Sequence, residues 1–207
     1  MRRLMIAASL LLGAAPVGAA DRSFTANGFD KVDLAAAGQV AIHTGDSFKV
    51  DASGDAEWLA LLDIHVVKDT LVIGWTREHI RMKHHNPIHI RVTMPRLDGV
   101  TLSGAGTIDL PALQVERARF DMGGAGKINA AGSAGSVDAH VRGFGSVEIA
   151  GLAARAGKFD MGGTGSIKAR VEGPADIAMT GVGSIDVLGQ PRCTVHKSGL
   201  GSVHCGG

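Results

Sequence analysis

The chain has 207 residues, of which 30 are glycine and none is tyrosine, and its formal net charge at pH 7 is +1. So much glycine excludes a helical protein, and a hydrophobic content of 45% excludes a disordered one. The small net charge gives no basic footprint for nucleic acid. The composition therefore indicates an all-β protein with many tight turns.

Residues 1–20 are typical of a secretory signal peptide. Arg2 and Arg3 precede an apolar run that starts at Leu4, and small residues follow it up to Ala20. The apolar run is too short for a comfortable membrane span, so we predict export with cleavage near Ala20. No later stretch is long and apolar enough to be predicted as a transmembrane segment.

Residues 21–99 are predicted to form a β layer without the repeat that follows it. Three short alternating segments (KVDLAA, QVAIHTG and FKVDASG) are separated by glycine-containing turns. Residues 55–62 favour one or two helical turns, and residues 64–75 favour a hairpin that turns at positions 68 and 69. Residues 88–95 alternate again. We expect this layer to be continuous with the β-helix and to cover its first coil, because an uncovered sheet edge invites aggregation.

Four histidines lie within eleven residues at the end of this layer: His79, His84, His85 and His89. Imidazoles bind Zn²⁺, Ni²⁺ and Cu²⁺, so these residues are candidate metal ligands. Their spacing matches no standard site, and a polar hairpin tip would have the same composition. Apart from this candidate site, we expect no cofactor.

A Gly-x-Gly pair recurs six times in residues 100–207, at steps of 20, 19, 20, 18 and 18 residues. A tight corner needs backbone angles that a Cβ forbids, and stacked backbones approach each other closely there. We therefore assign structural turns to all twelve glycines: Gly104, Gly106, Gly124, Gly126, Gly143, Gly145, Gly163, Gly165, Gly181, Gly183, Gly199 and Gly201.

Apolar residues alternate with polar ones on both sides of each pair, which indicates two short strands around a turn. A single unit cannot bury its apolar face, but stacked units can. The sequence therefore predicts a parallel β-helix of about six coils of 18–20 residues, with the right-handed sense usual for parallel crossovers. Phe120, Ala139 and Phe159 fall in one inward column. The residues four places after each first glycine form another: Ile108, Ile128, Val147, Ile167, Ile185 and Val203.

Asp121, His140 and Asp160 occupy one outward position on three successive coils. Neighbouring coils would place these side chains about 5 Å apart. Two carboxylates beside a histidine could act in acid–base chemistry on a polysaccharide, so the three residues are candidate catalytic groups. The alternative is a solvated polar face. No tyrosine is available as a sugar platform, and both tryptophans lie outside the coils.

The two cysteines, Cys193 and Cys205, lie near the C-terminus at inward positions. In an exported protein such a pair predicts a disulfide. A bond between them would hold the last coil together across its interior. Two free thiols or a metal pair are the alternatives.

The sequence resembles the exported head GIN domain family, whose members are described as putative auto-transporter adhesin heads. The resemblance rests on GFDKVDLAAAGQVAIHTGDSFKVDASGD, on DTLVIGW, on IHIRVTMPRLDGVTLSGAGTIDL and on the Gly-x-Gly coils that continue to the end. It implies a β-helical fold and a periplasmic or outer location. It implies no established activity and no catalytic residues.

From these observations we expect a non-enzymatic, exported cell-envelope protein located in the periplasm or at the cell surface. A glycan or another envelope component would be its ligand, bound on the β-helical surface. The alternatives are an enzyme acting on polysaccharide and a periplasmic metal-binding protein. Self-association through the open end of the β-helix is a further expectation.

Overall fold

A computed structural model describes residues 20–76 and 87–206 of the chain. The fold is nearly all β and forms a parallel β-solenoid of about five turns, which confirms the predicted fold class. The prediction of about six coils counted one coil for each glycine pair. Each pair marks one corner, and there are only five complete turns from the first of the six corners to the last.

The described residues form sixteen strands and one short helix. Their bounds, in chain order, are β1 (Ala20–Phe24), β2 (Lys31–Leu34), β3 (Ala37–Thr44), β4 (Lys49–Gly54), α1 (Ala56–Leu61), β5 (Leu62–Val67), β6 (Thr70–Trp75), β7 (His89–Met94), β8 (Gly99–Leu102), β9 (Ala105–Met122), β10 (Ala125–Val141), β11 (Phe144–Met161), β12 (Thr164–Val171), β13 (Pro174–Met179), β14 (Val182–Gly189), β15 (Arg192–Lys197) and β16 (Leu200–Cys205).

Strands β9, β10 and β11 are long and bent, and each forms most of one turn. They stack in parallel with the glycine pairs in register, so that Gly126 lies between Gly106 and Gly145. At Gly126 the backbone has φ = +144°, and a Cβ there would overlap the carbonyl oxygen of Gly106. The corner therefore requires glycine both for its dihedral angles and for the close approach of the coils.

The inward columns form one continuous apolar core. Five of the six residues in the first predicted column are completely buried, the exception being Val203 in the last coil. Ala139 pairs with Phe120 on one side and with Phe159 on the other, and all three are buried. A small residue between two large ones lets neighbouring layers interlock, and the close packing makes the solenoid rigid.

The N-terminal section contains a layer in register with the coils, a register that the sequence did not assign. Strand β2 pairs in parallel with β8, and β3 pairs in parallel with β9, with Gly38 aligned on Gly106. The solenoid thus begins well before the first Gly-x-Gly pair.

Antiparallel strands and a short helix complete the N-terminal end. β4 pairs antiparallel with β7, and β1 with β4. β5 and β6 form the predicted hairpin, which turns at Lys68 and Asp69. Helix α1, also predicted, buries Trp58, whose ring lies 5.4 Å from that of Trp75. Within the described residues, no helix has the length and apolarity needed to span a membrane.

At the C-terminal end, β15 pairs with β13 and β16 pairs with β14, and neither has a second partner strand among the described residues. The predicted disulfide is confirmed: Cys193 on β15 is bonded to Cys205 on β16 and ties the two edge strands together.

Candidate functional site

The three candidate catalytic residues lie side by side on the solenoid surface. His140 on β10 pairs with Asp121 on β9 and with Asp160 on β11, and all three side chains are half-buried. The repeat brings them together because positions of equal phase stack at one strand spacing, about 4.8 Å.

Their bonding does not resemble an acid–base pair. Arg119 donates to both carboxylate oxygens of Asp121, at 2.6 and 3.2 Å. These hydrogen bonds, together with the negative charge of Asp121, raise the pKa of Arg119 above its ordinary value. The Nδ1 atom of His140 is buried and has no hydrogen-bond partner among the described residues. The column therefore contains an Arg–Asp ion pair, and a catalytic role for it stays a prediction.

A small hollow lies beside this column, where Gly123 has no side chain to fill the surface. It has a volume of about 310 Å³ and is lined by Thr101, Arg119, Asp121, Met122, Gly123, His140 and Arg142.

A wider cleft lies on the other side of Arg119, and we call it the Arg117 cleft. It lies where the loop after β7 approaches the middle of β9, and its volume is about 830 Å³. Its lining residues are Thr44, Pro95, Arg96, Asp98, Gln114, Val115, Glu116, Arg117, Ala118, Arg119 and Asp138. The volume is within the range of small-molecule binding sites.

Most charges of the Arg117 cleft are neutralised by a neighbour. Arg96 donates two hydrogen bonds of 2.6 Å to Asp98, and these bonds raise the pKa of Arg96. Glu116 accepts a 3.1 Å hydrogen bond from Arg155. Arg117 and Asp138 are exposed, and neither forms an ion pair with another described residue. These two are therefore the charged side chains of the cleft without a close ion-pair partner in the described part of the chain, although the charge of Asp138 also contributes to the raised pKa of Arg119.

A second polar hollow lies nearer the N-terminus, where β3, β7, β4 and β1 lie side by side. Its volume is about 220 Å³, and Asp51, His89, Arg91 and Asp109 are among its lining residues. Asp51 accepts a hydrogen bond from Ser23 and lies 2.7 Å from Lys49. The bond with Lys49, followed by that with Ser23, lowers the pKa of Asp51.

The proposed metal ligands are only partly covered by the structure. His79, His84 and His85 lie outside the described residues, and His89 lies on β7 next to Gln39 and Ser53. Among the residues that are described, no group of three or more His, Cys, Asp or Glu side chains could hold a metal ion. Metal binding by the four histidines stays a prediction.

Neither the Arg117 cleft nor the smaller hollow at His89 was predicted from the sequence. Both depend on contacts between the N-terminal layer and the coils, and the expectation that this layer is continuous with the β-helix did not include the register of its strands. The alternation in QVAIHT and the glycine at position 38 were the available signal.

Solved structures resemble this fold. A structure described as that of a putative adhesin from Bacteroides fragilis has a TM-score of 0.74 and 21% identity, and the match covers 90% of this chain and 96% of that chain. A putative adhesin from Parabacteroides distasonis has a TM-score of 0.54 and 13% identity, over 92% and 97% of the two chains. These likenesses concern the fold alone.

No curated protein matches the sequence significantly. The family described as "Putative auto-transporter adhesin, head GIN domain" matches residues 28–191, which is most of the chain. This match confirms the resemblance that the coil motifs indicated, and the protein belongs to this family.

Proposed function

We propose that this protein is an exported, non-enzymatic cell-envelope protein that binds glycan through the Arg117 cleft. The observation that carries the proposal is the cleft itself, about 830 Å³ in volume, in which charged and amide side chains surround aliphatic ones. Sugar hydroxyls donate to carboxylates and accept from guanidinium groups. The aliphatic carbons of Pro95 and Val115 provide a surface for the C–H face of a sugar ring.

Arg117 and Asp138 are the expected contacts. Arg96 and Arg119 are already bonded to carboxylates, whereas Arg117 and Asp138 are not. One guanidinium and one carboxylate can bind the donor and acceptor functions of the same hydroxyl-rich ligand. Because the two charges balance, the cleft suits a neutral glycan better than a strongly acidic one.

Rigidity supports this role as well. One wall of the cleft is built on β9 and β10, whose inward residues are buried in the core, so this wall has its shape before a ligand arrives. A preformed site avoids the entropy cost of ordering loops on binding. No aromatic side chain lines the cleft, so each binding event would be weak.

The test is a calorimetric or NMR titration of the mature chain with soluble fragments of envelope glycans. The double variant Arg117→Ala/Asp138→Ala should bind roughly tenfold more weakly or worse. It removes two charged hydrogen-bonding groups, one cation and one anion. The matched control Lys127→Ala/Glu148→Ala also removes one cation and one anion, but from the face outside the cleft. Equal binding by the two variants, or no binding by the wild type, would contradict the proposal.

An enzyme acting on polysaccharide is the rival. The stacking of Asp121, His140 and Asp160 favours it, since carboxylates two coils apart are separated by about 9.6 Å, near the upper end of the range for inverting glycosidases. Against it, Arg119 occupies both oxygens of Asp121. Release of reducing ends by the wild type and its loss in Asp160→Asn would favour the enzyme. Unchanged glycans after long incubation would favour binding alone.

We also propose that the protein is displayed at the cell surface. The support is the predicted signal peptide and the family description as an adhesin head. Protease treatment of intact cells, with a periplasmic protein as control, tests the location. Digestion is the expected result. Full protection while the outer membrane is intact would place the protein in the periplasm and contradict an adhesin role.

A further inference from the structure

The two ends of the solenoid carry opposite charge. Residues 20–76 and 87–98, which form the N-terminal end, contain ten acidic and six basic side chains, a formal net charge of −4. Residues 99–188 contain nine acidic and eight basic side chains. Residues 189–206 contain Arg192 and Lys197, two histidines and no acidic side chain. Among the residues that the structure describes, the N-terminal end is therefore acidic, the middle nearly neutral and the C-terminal end basic.

At both ends, strands have an edge that pairs with no other described strand. These are β15 and β16 at the C-terminal end, and β5 and β1 at the N-terminal end, where helix α1 also contacts β1. Large apolar side chains are exposed on three of these strands: Val67 on β5 (48%), Val195 on β15 (44%) and Leu200 on β16 (73%). Unpaired backbone groups next to exposed apolar residues are a template for a further strand.

The strand directions at the two ends are compatible. β1 and β16 are the first and last strands of one continuous row of paired strands. β1 is antiparallel to β4, and β4 is antiparallel to β7, so β1 runs in the same direction as β7 and the coils. β5 and β15 end the other run, and β5 runs opposite to the coils. A second copy stacked on the same axis in the same direction would place β1 beside β16 in parallel and β5 beside β15 in antiparallel pairing.

We propose that this protein associates head to tail with further copies of itself, the C-terminal edge of one copy resting on the N-terminal edge of the next. Arg192 and Lys197 would face an end that exposes Asp21 on β1 and Asp63 on β5. Two C-terminal ends would repel each other, which disfavours a symmetric tail-to-tail dimer. A head-to-tail contact does not close on itself, so it produces linear rows. This inference is independent of glycan binding, although a row would present several Arg117 clefts at once.

The test is sedimentation velocity of the mature chain over a wide concentration range at low salt. The wild type should form species larger than a monomer that dissociate as salt is raised, because exposed charges are screened. Arg192→Glu/Lys197→Glu reverses the two positive charges on β15, and Asp21→Lys/Asp63→Lys reverses two negative charges at the head. Each variant alone should associate at least about tenfold more weakly than the wild type. An equimolar mixture of the two should recover association, since the reversed charges on β15 of one variant then lie beside the reversed charge at position 63 on β5 of the other.

The matched control is Lys127→Glu/Lys158→Glu, which changes the net charge as the tail variant does but on outward positions of middle coils. It should associate like the wild type. Circular dichroism checks that all variants are folded. A wild type that stays monomeric at every concentration would overturn the proposal and show that Arg192 and Lys197 keep copies apart. A head variant that associates as strongly as the wild type, or a mixture that does not recover association, would overturn it too.

Discussion

Replacing Gly126 by alanine tests whether the corner glycines determine the stability of the solenoid. The residue has φ = +144°, and its new Cβ would overlap the carbonyl oxygen of Gly106 in the neighbouring coil. Holding an L-residue in such a conformation costs about 1–3 kcal/mol. Forcing extra volume into a close-packed site costs about 1–3 kcal/mol more. We therefore expect Gly126→Ala to lower the free energy of unfolding by about 2–6 kcal/mol.

Gly123, three residues earlier, provides a matched control in the same turn. A Cβ at Gly123 would meet no atom within 4 Å. Gly123→Ala should be neutral or should stabilise the protein by up to about 1 kcal/mol, because alanine restricts the unfolded chain. In a protein of this size 1 kcal/mol corresponds to roughly 2–4 °C in Tm. Thermal unfolding followed by circular dichroism should thus separate the two variants clearly. Equal Tm values for both variants would refute the role assigned to the corner.

Three other changes test the C-terminal disulfide, the core and one surface ion pair. Reducing the bond between Cys193 and Cys205 should lower the free energy of unfolding by about 2–4 kcal/mol; an unchanged urea midpoint under reductant would contradict this. Phe159→Ala leaves a cavity beside a buried column and should cost about 3–5 kcal/mol in urea unfolding, against less than about 1.5 kcal/mol for a volume-conserving core swap. The hydrogen bond from Lys31 lowers the pKa of Asp69, so its stabilisation is present above the ordinary Asp pKa of about 3.9 and is lost as pH falls through the lowered value. Asp69→Asn should therefore show a smaller loss of Tm in that acid range, and identical acid profiles would disprove the coupling.

The inward residues made most of the fold predictable from sequence. A buried position can accept only an apolar side chain of suitable size, so the same residue class recurs at the same phase in each coil. Ile108, Ile128 and Val147 show this rule, and all are completely buried. The corner glycines add a second constraint, because the neighbouring coil leaves no room for a Cβ. The repeat in the sequence therefore reflects the packing of the coils, and one can be predicted from the other.

The register of the N-terminal layer could not be read from the sequence, because one of its corner glycines is replaced. Ala36 lies where the other coils have the first glycine of the pair. The corner sequence is therefore Ala-Ala-Gly and does not match the Gly-x-Gly motif. The second glycine, Gly38, is retained, and a Cβ there would lie only 3.0 Å from the carbonyl oxygen of Ile88. The N-terminal layer therefore keeps the close backbone contact at the second glycine position but lacks the first glycine of the motif.

The proposed binding surface could not be predicted for the opposite reason. Outward residues have no packing constraint, so Asp109, Asn129, Glu148 and Lys168 succeed one another at one position without a shared chemistry. Recognition needs such freedom, since a ligand is bound by particular groups and not by a repeat. The Arg117 cleft arises where the stack is irregular, at the loop after β7. In a solenoid of this kind, the periodic part of the sequence predicts the scaffold, and departures from the period indicate where a ligand site can form.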